Sequence, residues 1–119
     1  MTQRAEVVIA RFPYVGASAG FKVRPAVVVQ CDRLNNLLQQ TVVVMVTGNT
    51  RIVGSEPTQF LIDPATPDGA LSGLNSPSAV KCANIATIPK SDILDTIGRL
   101  SDALTQKLND CLRAALQLP

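Results

Sequence analysis

Histidine is absent from the chain, and so is tryptophan. Without histidine there is no Ser-His-Asp triad, no Cys-His pair, no imidazole-ligated metal and no ribonuclease mechanism built on paired histidines. Aromatic side chains are scarce, with one tyrosine and three phenylalanines. Long apolar runs are also missing. The longest, Val42–Val46, has five residues, whereas a membrane helix needs about 20. The opening residues, MTQRAEVV, hold no apolar stretch ahead of a cleavage site, so neither export nor a membrane is expected. Three cysteines, Cys31, Cys82 and Cys111, stand far apart with no C-x-x-C between them. That pattern makes neither a disulfide framework nor a zinc site, and fits buried thiols in a reduced, cytoplasmic protein. No metal or other cofactor is implied.

What is present is a core-forming composition. Of 119 residues, 46% are apolar and 17% charged, enough for one domain, 1–119, with a real interior. The net charge is +2, too small to diagnose a nucleic-acid binder. Residues 1–60 carry +3 and residues 61–119 carry −1. A basic half attracts phosphates, and an ordinary solvated surface shows the same balance.

Short β-branched runs dominate the first half. Residues 5–12, 25–31, 41–47, 58–62 and 78–88 each read as a strand. In the last of these, Val80, Cys82, Ile85 and Ile88 mark the buried positions, with an irregularity between them. Pro25 fits the start of a strand, where a missing N–H does least harm. Residues 13–22 form a long glycine- and proline-bearing loop, 32–40 a connection with a helical turn, and 63–77 an irregular connection with one short turn. Ser101 is a good N-cap for a C-terminal helix, whose Leu104, Leu108, Leu112 and Leu116 form a stripe that packs on the sheet. The order, mainly β with a C-terminal α-helix, predicts a small, strongly bent sheet or barrel. It excludes alternating βαβ units, and no glycines follow phosphate-loop spacing.

Two polar residues stand where strands end. Arg24 lies just before Pro25 at the mouth of a buried strand, and Thr47 ends the valine run ahead of Gly48-Asn49-Thr50. Each has a plain structural explanation, a salt-bridging arginine and a threonine bonding its own turn. Antiparallel pairing of 25–31 with 41–47 sets their two ends side by side, and together they form a candidate site.

These residues carry a resemblance. A leading strand, then FPYVGASAGFKVRPAVVVQCD, TVVVMVTGNT, GLNSPSAVKCANIATIPKSDIL and IGRLSDALTQKLNDCLRAAL, resembles the MazF/PemK family of toxin endoribonucleases over roughly residues 5–118. The ordered set is specific where no single motif is. The resemblance implies an SH3-like barrel of about five to seven strands, acting as a homodimer in the cytoplasm. It implies metal-independent cleavage of single-stranded RNA at short motifs, and neutralisation by a cognate antitoxin. The family's catalytic arginine falls on Arg24 and its catalytic threonine on Thr47.

That assignment makes chemical sense without histidine. RNA supplies its own nucleophile, the 2′-hydroxyl, so the protein chiefly orients it and stabilises charge on the phosphoryl oxygens. A guanidinium holds two such oxygens, and a hydroxyl donates to a third or to the leaving 5′ oxygen. The products are a 2′,3′-cyclic phosphate and a 5′-hydroxyl. Arginine is a poor base at a pKa above ~12, so that role is left to another group or to water. Tyr14 is the candidate for stacking a base, Lys22 for touching phosphate, and Asn49, Lys81 and Asn84 for further RNA contacts. Phe12 reads as core. Ala83 and Ala86 stand where many family members carry an acid and an arginine, which leaves a binding-only relative as an alternative. A non-enzymatic gyrase poison of the CcdB type is a third reading, weakened by the absence of tryptophan.

Overall fold

The valine-rich runs find one another in an antiparallel sheet. A computed structural model of the protein describes residues 2–14 and 20–119. In chain order the elements are β1 (Glu6–Pro13), β2 (Phe21–Val28), α1 (Asp32–Leu37), β3 (Gln40–Thr47), β4 (Gln59–Ile62), α2 (Pro67–Ala70), β5 (Ser78–Pro89), β6 (Ile93–Arg99) and α3 (Asp102–Leu116). Among the described residues six strands form one sheet, in the order β4-β5-β3-β2-β1-β6, every pairing antiparallel. The 13–22 loop falls partly on residues 15–19, which lie outside the described residues.

Each face of the sheet carries a buried cluster, because it bends. Val7, Val27, Val44, Val46, Phe60, Ile62, Val80 and Cys82 pack on one face against Leu104, Leu108 and Cys111 of α3. On the other face Val8, Ala10, Phe12, Ala26, Val28 and Val43 meet Ile88. Strands β1 and β5 lie three places apart in the sheet, so their meeting in this second cluster requires a strong bend. Adjacent valines in β2 and β3 point to opposite faces, and this explains why unbroken valine runs serve here in place of the alternation of a one-sided sheet.

Some expectations need correction. Strand β2 begins at Phe21 and not at Pro25. It pairs with β1 straight through Pro25, while its ladder with β3 stops at Ala26↔Met45. The proline's missing N–H thus costs nothing where β1 pairs, and no β3 partner is lost beyond it. Strand β6 was not anticipated from its pattern. It holds no fully buried residue, and it pairs with β1 across two register shifts. Ile85 is exposed, not buried. Between Met45↔Lys81 and Val44↔Ile85, strand β5 carries extra residues, Cys82, Ala83 and Asn84, and this bulge carries Ile85 away from the core. Leu116 is exposed as well. An i, i+4 row drifts by about 40° per step around a helix of 3.6 residues per turn, so the stripe leaves the sheet by its fourth leucine. Cys31 is exposed, and only Cys82 and Cys111 are buried.

A polar knot sets the hairpin that carries β2 and β3. Asn35 of α1 is fully buried. Its Oδ1 accepts from Thr41 Oγ1 at 2.7 Å and Gln30 Nε2 at 2.9 Å, and its Nδ2 donates to the Gln30 carbonyl at 2.9 Å. The Lys90 ammonium donates to the Asn35 carbonyl. Each buried polar atom is matched, so the connection cannot slip without leaving one bare.

Candidate active site

Strand register positions the candidate pair. Ala26 faces Met45 and Val28 faces Val43. Two residues on from the last pair, Arg24 and Thr47 stand at the same end of the hairpin, on the face of Ala26 and Met45. Both are half-buried at the open end of the hairpin. Neither salt bridge among the described residues uses Arg24, so its guanidinium stands on this face without a carboxylate partner there. Lys22, two residues earlier on β2 and exposed, shares the face.

Beyond Thr47 the sheet continues into a shallow recess of about 100 Å³, lined by Thr47, Asn49, Arg51, Ile52, Gln59 and Lys81. The turn after β3 is self-bonded. The Asn49 N–H donates to Thr47 Oγ1 at 3.2 Å, and the Arg51 N–H donates to Asn49 Oδ1 at 3.1 Å. The threonine therefore does bond its own turn, but only as an acceptor. Its O–H remains available to donate outward. The turn into β4 is fixed in a similar way. Thr58 donates to the Glu56 carboxylate from its hydroxyl at 2.7 Å and from its N–H at 3.0 Å, which lowers the Glu56 pKa below the ordinary range, the hydroxyl bond contributing most.

Tyr14 and Asn84 meet elsewhere. They line a second recess of about 330 Å³ with Phe12, Pro13, Ala83, Ile85 and Ala86. Tyr14 is half-exposed there and Phe12 is buried at 3%. Residues singled out from sequence thus fall into three places. Thr47, Asn49 and Lys81 share one recess, Tyr14 and Asn84 share the other, and Lys22 and Arg24 stand on β2.

Residues 3–116 match the protein family described as the PemK-like, MazF-like toxin of type II toxin–antitoxin systems. The chain belongs to this family. Among relatives, Endoribonuclease MazF2 of Mycobacterium bovis is 30% identical over 116 residues, covering 97% of this chain and 96% of the relative. Two solved structures share the fold. An endoribonuclease in complex with its cognate antitoxin, from a mycobacterial species, has a TM-score of 0.75 at 25% identity and covers 100% of this chain and 98% of that one. The Mycobacterium tuberculosis toxin MazF-mt6 has a TM-score of 0.76 at 26% identity, with 96% and 98% covered.

In this MazF-like chain three lining residues escaped the sequence reading: Arg51, Ile52 and Gln59. Gln59 carried a weak signal. Phe60 and Ile62 alternate into the core, which turns Gln59 and Leu61 to the face that bears Thr47. Arg51 and Ile52 carried none, because only the fold of the turn brings them to the recess. No helix among the described residues is long and apolar enough to cross a membrane.

Proposed function

We propose that this chain is the toxin of a type II toxin–antitoxin pair and acts as an endoribonuclease on single-stranded RNA, with Arg24 and Thr47 as its catalytic residues. The observation that carries this reading is the register of β2 and β3. It aligns an uncommitted guanidinium and a donor-ready hydroxyl on one open face, beside a recess rich in cations and amides.

The chemistry follows from those groups. The RNA 2′-oxygen attacks the adjacent phosphorus, and the bond from phosphorus to the 5′ oxygen breaks. A 2′,3′-cyclic phosphate and a 5′-hydroxyl result. Negative charge gathers on the phosphoryl oxygens in the transition state, where Arg24 holds two of them and Thr47 donates to a third. The 2′ proton leaves to solvent, and a proton reaches the 5′ oxygen from Arg24 or from water. Tyr14, Lys22, Asn49, Lys81 and Asn84 bind the flanking RNA. Family membership supports a cognate antitoxin that occupies this face, a homodimer, and a cytoplasmic setting.

Purified protein with excess EDTA tests the reading on a long single-stranded RNA, beside Arg24→Ala. Cuts ending in cyclic phosphate, lost in the variant while its circular dichroism is unchanged, are the expected result. Full cleavage by Arg24→Ala would remove Arg24 from the site. RNA binding without cuts by the wild type would favour the binding-only alternative that Ala83 and Ala86 keep open.

A further inference from the structure

The recess beyond Thr47 holds more chemistry than a phosphate needs. Gln59 of β4 and Lys81 of β5 are direct cross-strand partners, and Lys81 is also the partner of Met45 on β3. All three therefore point to the face of Thr47. Arg51 and Ile52, from the turn after β3, complete the lining.

The side chains there are strongly biased towards donors. Thr47 Oγ1 already accepts from the Asn49 N–H, which leaves its O–H to donate. Asn49 Oδ1 already accepts from the Arg51 N–H, which leaves its NH₂. The Lys81 ammonium and the Arg51 guanidinium donate only, and neither enters a salt bridge among the described residues. No carboxylate lines the recess. Of the two amide oxygens lining the recess, only that of Gln59 has no partner among the described residues. Ile52 supplies the apolar surface.

We propose that this recess takes the base of a nucleotide flanking the cleaved bond and selects a keto base, guanine or uracil, over an amino base, adenine or cytosine. The proposal rests on the endoribonuclease reading above and concerns what that site reads. Guanine presents acceptors at O6 and N7, and uracil presents them at its carbonyls. On the same edge adenine and cytosine present an amino group in place of that carbonyl, which would meet the donors of Lys81, Arg51 and Asn49 head-on. Thr47 belongs both to the phosphate pair and to the recess, so the base site and the reacting phosphate are contiguous. The recess has room for a base edge, and Ile52 covers part of its face.

Two measurements test this. A single-stranded RNA pool with a randomised window is cleaved, and the new ends are sequenced. One position next to the cut is expected to hold guanine or uracil ~10-fold over adenine or cytosine. The ratio of the two there tells which keto base is preferred. Gln59→Glu adds an acceptor beside Lys81 and is expected to flatten that preference to within about threefold, the lower end of what one base contact provides. In the second measurement, fluorescence anisotropy follows Arg24→Ala protein on uridine and cytidine oligomers of equal length. Uridine is expected to bind ~10-fold tighter. Equal use of all four bases on both sides of the cut, or an adenine or cytosine preference, would overturn the proposal. A wild type that cuts nothing while the uridine preference persists would remove the nuclease reading and leave base selection standing. Without either cuts or preference, both fall.

Discussion

Thr41 donates a 2.7 Å hydrogen bond to Asn35, and neither residue touches solvent. This bond ties the start of β3 to the helical turn that joins it to β2. Asn35 serves Gln30 as well, so one deletion strands several groups. Asn35→Ala is expected to lower unfolding stability by ~2–4 kcal/mol, because Thr41 and Gln30 lose partners in a dry site. Thr41→Val, which removes one bond and fills the space, is expected to cost roughly 1–2 kcal/mol. Urea denaturation monitored by circular dichroism measures both. A loss for Asn35→Ala no larger than that for Thr41→Val would show that the knot is not cooperative.

At the opposite end of the same hairpin, Thr47 offers a hydroxyl proton and little else. Thr47→Ser keeps it and should cleave within about tenfold of the wild type. Thr47→Val loses it and should slow cleavage by ~10²–10³, the usual effect of removing one donor to a developing oxyanion. Arg24→Lys should be similarly poor, since an ammonium cannot hold two phosphoryl oxygens as a fork does. Single-turnover rates decide these points, and equal rates for Thr47→Val and wild type would exclude the hydroxyl from the chemistry.

The three thiols differ in kind. Cys31 is exposed, while Cys82 and Cys111 are packed together under α3. Burial raises the Cys82 pKa from 9.0 to about 12, and burial also raises that of Cys111. A maleimide at neutral pH should therefore label one thiol of the folded protein, and the other two only in denaturant. The folded protein holds these protons more tightly than the unfolded chain does. Their contribution is complete below the ordinary thiol value near 9 and is lost as pH rises towards about 12. A melting temperature that holds at neutral pH and falls through this alkaline window is expected, with a smaller alkaline fall in a Cys82→Ala variant.

Glycine matters in edge strand β6 and not in the turn after β3. A Cβ on Gly98 of β6 would lie 2.4 Å from the Leu71 carbonyl oxygen and 2.5 Å from that of Ser72, whereas one on Gly48 would meet nothing within 4 Å. Gly98→Ala should cost ~2 kcal/mol or more, since backbone must move to admit it. Gly48→Ala should stay within about 0.5 kcal/mol, as at an open surface position. Comparison of the two denaturation midpoints checks the packing of β6 against the 71–72 segment.

Much of this architecture was legible in the residues themselves. Ser101 does cap α3, accepting from the Leu104 N–H at 3.2 Å, and the valine runs are strands because little else suits two buried faces. That Arg24 and Thr47 lie at the same end of one hairpin followed from its antiparallel geometry alone. What escaped was non-local. Strand β6 reveals no burial of its own, because it gains its place from β1, more than eighty residues earlier. Gln59 reaches Thr47 only by way of β5, which pairs with both β3 and β4. The bulge that exposes Ile85 is a mismatch between two strands, and a single strand's pattern cannot contain it.

Pro25 has a further consequence. A hairpin whose strands could go on bonding would zip shut towards its open end, bringing backbone against backbone beside Arg24 and Thr47. The ladder between β2 and β3 stops at Ala26, and the next residue back has no proton to offer. The two strands are therefore kept apart at this end by the backbone itself. Pro25→Val would restore the missing tooth, and hydrogen exchange would reveal it as a newly protected amide at residue 25. An amide that exchanges freely in that variant would show that something other than the proline parts the strands.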